Sequence, residues 1–131
     1  MSTATLTTET RTVCRQFVDA LVAWDGTAVR ELLSDEVWLR ALLVREFVEH
    51  HDAAAALSVL HGWYGSAHET QLLHADVATV GTRQRLTYRV RLRPAWAPQT
   101  WHVIEQTGYV RVVDGLIGRL DLACTGFQPE A

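Results

Sequence analysis

Several things are scarce in this chain, and each scarcity excludes something. The sequence has 131 residues, with two cysteines, three prolines and one methionine. Cys14 and Cys124 lie far apart, which gives no disulfide framework and fits reduced thiols. No run approaches the roughly 20 apolar residues of a membrane span, and the first ten residues lack the basic start and apolar core of a secretory leader. A cytoplasmic protein with no membrane partner is the expectation. Twelve basic against fifteen acidic residues, with pI about 6.0, leave no broad positive field, so no nucleic-acid partner is expected. There is no Gly-rich phosphate loop, no Ser-His-Asp or Cys-His order, and no internal repeat. Six histidines lack any motif such as His-Glu-x-x-His, so neither a metal nor a cofactor is expected.

What is present reads as one domain over 1–131. Apolar content of 48% with 21% charged residues belongs to a globular chain. Residues 1–6 read as frayed. A helix capped at Thr7 or Thr8 then runs to about Trp24, with Val13, Phe17, Ala20, Leu21 and Trp24 on its apolar stripe. Asp25 caps a short second helix that Ser34-Asp35 breaks. The apolar run 37–44, interrupted by Arg40, reads as a buried strand, while 45–51 takes no assignment from pattern. Asp52 caps a third helix to about Tyr64, with Gly65 as the C′ stop. Four strands follow: 71–80, 83–93 after a Gly81-Thr82 turn, and a final hairpin closed by Asp114-Gly115. Asp-Gly between apolar runs is the strongest short-range signal for a type I′ turn.

The hairpin decides where the polar groups go. If every residue pairs, Val113 faces Leu116, Val110 faces Arg119, Gly108 faces Asp121 and Gln106 faces Ala123. His102, Ile104, Gln106, Val110 and Asp121 then share one face. The other takes Trp101, Glu105, Tyr109, Leu120, Leu122 and Cys124. An even register from the preceding strand sets Tyr88 against Gln106 and Leu92 against His102, with Arg89 and Arg91 flanking Glu105. Helices followed by an antiparallel meander mean α+β, three helices on a strongly curved, mainly antiparallel sheet. The outer sheet face is then a candidate homodimer surface.

This element order, together with WHVIEQTGYV, the turn VVDG and the terminal LDLACTGF, resembles the NTF2-like superfamily and within it the SnoaL-like, polyketide cyclase-like group. The resemblance covers nearly the whole chain. It implies a cone with an apolar pocket and a small hydrophobic carbonyl compound as partner. It also implies an acid in the last strand as base, with a His in the strand before it: Asp121 and His102. Carbon-acid chemistry of a cyclase or isomerase, without cofactor, follows from a carboxylate whose pKa is raised by desolvation. Tyr88 and Gln106 would stabilise an oxygen anion. Arg40, Trp24, Trp38 and Trp63 complete the expected substrate-binding set. The isomerase pattern requires a Tyr on the first helix, which this helix lacks. The epoxide hydrolase pattern requires a second pocket acid. Two other readings remain open, a non-catalytic binder of apolar ligands and a dimerisation scaffold in which Asp121 is bound by Arg40, Arg119 or Gln106.

Overall fold

The computed structural model describes residues 3–130, with side chains from Thr8 onward. Helix α1 spans Thr3–Ala23 and α2 Gly26–Leu32. Strands β1 (Leu33–Leu42) and β2 (Phe47–His50) form a hairpin. Helix α3 (Ala53–Leu60) runs on into a π-helical turn, His61–Gly65. Strands β3 (Glu69–Val80), β4 (Arg83–Arg93), β5 (His102–Val113), β6 (Leu116–Cys124) and the short β7 (Gln128–Pro129) follow. The sheet order is β2-β1-β6-β5-β4-β3, with β7 on β5; among the described residues β1 and β6 pair in parallel and the other pairs are antiparallel. The helices cover one sheet face, and Phe17, Leu21, Val29, Leu39, Leu60, Leu86, Ile104 and Leu120 meet there in the core.

Local chemistry explains most of the boundaries. Asp25 and Asp52 accept from the backbone N–H of Ala28 at 3.1 Å and Ala55 at 2.8 Å, each satisfying an orphan donor of a first helical turn. The first helix begins earlier than Thr7, because nothing in 3–8 interrupts it; of the residues expected to fray, Met1 and Ser2 lie outside the described ones. It ends in a Schellman arrangement: Asp25 N–H donates to Ala20 at 2.8 Å and Trp24 N–H to Leu21 at 3.2 Å. Trp24 therefore occupies the left-handed position, at φ 48°. Residues 45–51 resolve into a tight turn, with Leu43 N–H on the Glu46 carbonyl at 2.9 Å, and the edge strand β2.

Gly65 is not a left-handed stop. It lies within the π-helical turn, and a Cβ there would come within 2.3 Å of His61 and 2.7 Å of the Trp24 indole. Gly is needed for close approach, since Trp24 stacks edge-on against His61 at 5.3 Å and ties the end of α1 to the end of α3.

The Asp114-Gly115 turn closes as the sequence requires, with φ 54° and 78°. The β4–β5 register is also as expected, Tyr88 on Gln106 and Leu92 on His102. The β5–β6 register is not. Val113 faces Leu116 and Val112 faces Ile117, but Arg111 then faces Arg119, which leaves Gly118 as a β-bulge. From there every residue of β6 is one place out from strict alternation. Val110 faces Leu120, Gly108 faces Leu122, Tyr109 faces Asp121 and Gln106 faces Cys124.

The bulge has a clear energetic cause. Strict alternation would bury Arg119 and Asp121 with Ile117 and expose Leu120 and Leu122. One extra residue after Ile117 lets Ile117, Leu120 and Leu122 all face the helices. Burying two leucines is worth about 1.5–3 kcal/mol each, and two charges stay at the surface, against one unpaired residue in the ladder.

Candidate binding cleft and inner polar cluster

The inner face of β5 presents His102, Ile104, Gln106, Gly108 and Val110 to the helices. Gln106 is fully buried. Its Oε1 accepts from the Tyr64 hydroxyl at 2.8 Å and from the Tyr88 hydroxyl at 2.6 Å. Tyr64 comes from the π-helical turn and Tyr88 from the cross-strand partner position. Burial pushes both phenols well above the ordinary tyrosine value, so they stay neutral and serve as donors. The amide Nε2 of Gln106 is buried and has no hydrogen-bond partner among the described residues. Whichever way the amide is turned, one of its two polar atoms lacks a protein partner. Cys124, paired with Gln106, faces the same side, and its Sγ accepts from Gly126 N–H at 3.3 Å.

His102 lies four residues along β5 from Gln106, about 13 Å away at a strand rise of 3.3 Å. Its Nδ1 is 2.9 Å from the Thr100 carbonyl. A carbonyl only accepts, so Nδ1 carries a proton, and in the neutral ring Nε2 is then the nitrogen with the lone pair. Trp96 packs edge-on over this ring at 4.9 Å and against Phe127 at 6.0 Å. The two aromatics, with Leu43, Val44 and Gly126, line an open cleft of about 680 Å³ whose rim carries Arg45, Glu46 and Gln128. The volume is in the range of small-molecule sites. The Tyr64–Gln106–Tyr88 cluster does not line this cleft.

Asp121 is elsewhere. The bulge turns it to the outer sheet face, where it accepts from Arg40 at 2.8 Å, Arg83 at 2.8 Å and Arg119 at 3.0 Å. Partial burial acts to raise its pKa, but the hydrogen bonds from Arg40 and Arg83 and the charge of Arg119 outweigh it and hold the carboxyl below its ordinary value. Arg40 and Trp38 are on the same outer face. The Trp38 ring packs under Arg119 at 4.3 Å and near Arg40 at 5.0 Å, and its indole N–H donates to Glu49 at 2.6 Å.

The expected site set thus divides. Tyr88, Gln106 and His102 share the inner face, and Trp24 and Trp63 pack half-buried on the helical side. Asp121, Arg40 and Trp38 are separated from them by the sheet. The expectation that Asp121 projects into an apolar hollow is overturned, as is the placing of Leu120, Leu122 and Cys124 on the outer face. Among the described residues the buried polar or charged ones are Gln84, His102 and Gln106, with no carboxylate. The sequence did hold a signal for the bulge. Ile117, Leu120 and Leu122 cannot all be buried under strict alternation, and this spacing is the mark of an inserted residue.

Solved structures decide the architecture. A polyketide cyclase, so described, from Xanthomonas campestris matches with TM-score 0.73 at 20% identity, over 88% of this chain and 90% of that one. An NTF2-like protein from Burkholderia xenovorans matches with TM-score 0.70 at 11% identity, over 89% of each chain. The chain has the NTF2-like fold. A third similar structure is an LEH-like epoxide hydrolase from M. tuberculosis, with TM-score 0.67 at 17% identity, covering 89% of this chain and 83% of that one. Comparison with protein-family models and with curated proteins returns no match. Proteins this distant share the NTF2-like cone, a scaffold that hosts unrelated activities.

Proposed function

We propose that this chain is a small-molecule-binding protein of the NTF2-like fold, taking an apolar compound with a carbonyl or similar acceptor into the cleft walled by Trp96 and Phe127. The supporting observation is the cleft itself: apolar walls about an opening of ligand size, with Arg45 and Gln128 as donors on its rim. A polarity-sensitive fluorescent naphthyl ketone tests this. Saturable binding with blue-shifted emission, weakened about tenfold by Trp96→Ala, supports it, because a large aromatic wall contributes on the order of 1.5 kcal/mol. Binding that ignores Trp96→Ala contradicts it.

A second reading is catalysis of the cyclase or isomerase kind. Asp121 faces away, so the base would be His102, whose Nδ1 bond to Thr100 leaves Nε2 able to take a proton. His102→Gln separates the readings: turnover of a carbonyl compound lost with binding kept supports the enzyme. Epoxide hydrolysis has less support, since no acid pair is buried on the inner face among the described residues.

A homodimer through the outer sheet face is also proposed, on the exposed Leu42 and Phe47 at the β1–β2 end of that face. Sedimentation equilibrium at micromolar concentration tests it, a monomer mass being the contrary result.

A further inference from the structure

All twelve basic side chains are arginines, and most of those in the sheet point the same way. On β4, the outward positions include Arg83 and Arg85; on β5, Arg111; on β6, Arg119; on β1, Arg40. Register places them together. Arg85 faces Tyr109, Tyr109 faces Asp121 and Asp121 faces Arg40, in one row across four strands. The next row puts Arg111 directly opposite Arg119, with Trp38 beside Arg119. Three strand spacings make the patch about 14 Å wide, and two residues along a strand separate its rows by about 7 Å.

Five guanidinium groups therefore surround Asp121, with Glu49 opposite Arg40 at the β2 edge of the row as the other carboxylate, on a chain whose formal net charge is −3. Asp121 takes one hydrogen bond from each of Arg40, Arg83 and Arg119, so each keeps four of its five N–H donors. Arg85 and Arg111 are exposed and have no ion-pair partner among the described residues. Like charges directly opposite on a sheet destabilise it, as Arg111 and Arg119 must. Asp121 and Trp38 meanwhile fix the guanidinium planes from below, which lowers the ordering cost of a further bond.

We propose that this outer face binds a small oxyanion bearing phosphate or several carboxylate groups, held by the free N–H donors of Arg83, Arg119 and Arg40 and by the charges of Arg85 and Arg111. Guanidinium forks match the paired oxygens of such groups.

Calorimetric titration with citrate and with inorganic phosphate tests the proposal, against chloride at equal ionic strength so that screening is held constant. It is done at a concentration where sedimentation velocity shows one species in all buffers. The expected result is saturable heat with citrate or phosphate and none with chloride. Arg83→Gln with Arg119→Gln should weaken binding about tenfold or more, since charge-assisted bonds are lost. Arg85→Gln with Arg111→Gln touches no hydrogen bond of the network and relieves the Arg111–Arg119 repulsion, so it should leave thermal stability no lower than that of the wild type and still weaken binding severalfold. Heats equal to those of chloride, affinity indifferent to both double variants, or binding of a glutamate-rich peptide without binding of either small anion would each overturn it.

Discussion

Asp121→Asn separates two physical pictures by the sign of its effect on stability. A carboxylate in an apolar hollow is charged at a desolvation cost, so the neutral amide would stabilise the fold. A carboxylate among three arginines is the opposite case. Exposed ion pairs contribute about 0.2–1 kcal/mol each, and breaking a buried pair costs about 3–5 kcal/mol. Asp121 keeps 19% of its side-chain exposure and its partners 25–36%. With three contacts at 3.0 Å or less lying between those limits, the loss should be about 2–3 kcal/mol, or about 10 °C in melting temperature for a chain of this size. The assay is urea unfolding followed by tryptophan fluorescence at several pH values. Because the native carboxyl is held below its ordinary value, its contribution is complete above the unfolded pKa near 4 and fades as pH falls through the depressed native one. The gap between wild type and Asp121→Asn should thus be constant from pH 6 to 8 and shrink below about pH 4. An Asn variant as stable as wild type at pH 7, or more stable, would refute the reasoning.

Other outcomes follow from the same geometry. Deleting Gly118 removes the unpaired residue yet leaves Ile117, Leu120 and Leu122 inward and Arg119 and Asp121 outward, so the shortened chain should keep cooperative unfolding in circular dichroism; loss of cooperativity contradicts the account of the bulge. Tyr88→Phe removes one of the two donors to Gln106 and should cost about 1 kcal/mol in the same urea assay, with the fold intact. Burial pushes the Cys14 thiol up to about 11, so a thiol reagent at pH 8 should spare Cys14 in the native state and modify it only after denaturation.

Much of this architecture was legible in the residues. The Asp25 and Asp52 caps, the Asp114-Gly115 turn and the pairing of Tyr88 with Gln106 are local rules or period-two consequences, and all are observed. The site was legible only in part, for one reason. A single unpaired residue at position 118 exchanges the faces of everything after it in β6, and strict period-two counting from the turn passes over its one sign, the Ile117, Leu120 and Leu122 spacing. Asp121 was read on the wrong face while Gln106, on the strand before the turn, was read on the right one. The alternative that Asp121 pairs with Arg40 and Arg119 rested on charge alone and so was independent of register. The cleft has no local signature in the residues, because Leu43, Val44, Trp96 and Phe127 come from three separate loops brought together by the sheet.

The most direct measurement is a nitrogen-15 amide shift map recorded as the naphthyl ketone is titrated into the labelled chain. The account predicts perturbations concentrated at Leu43, Val44, Phe127 and the Trp96 indole, with Arg119, Asp121 and Arg40 unmoved. Shifts gathered on the outer face around Asp121, with the cleft residues silent, would contradict it.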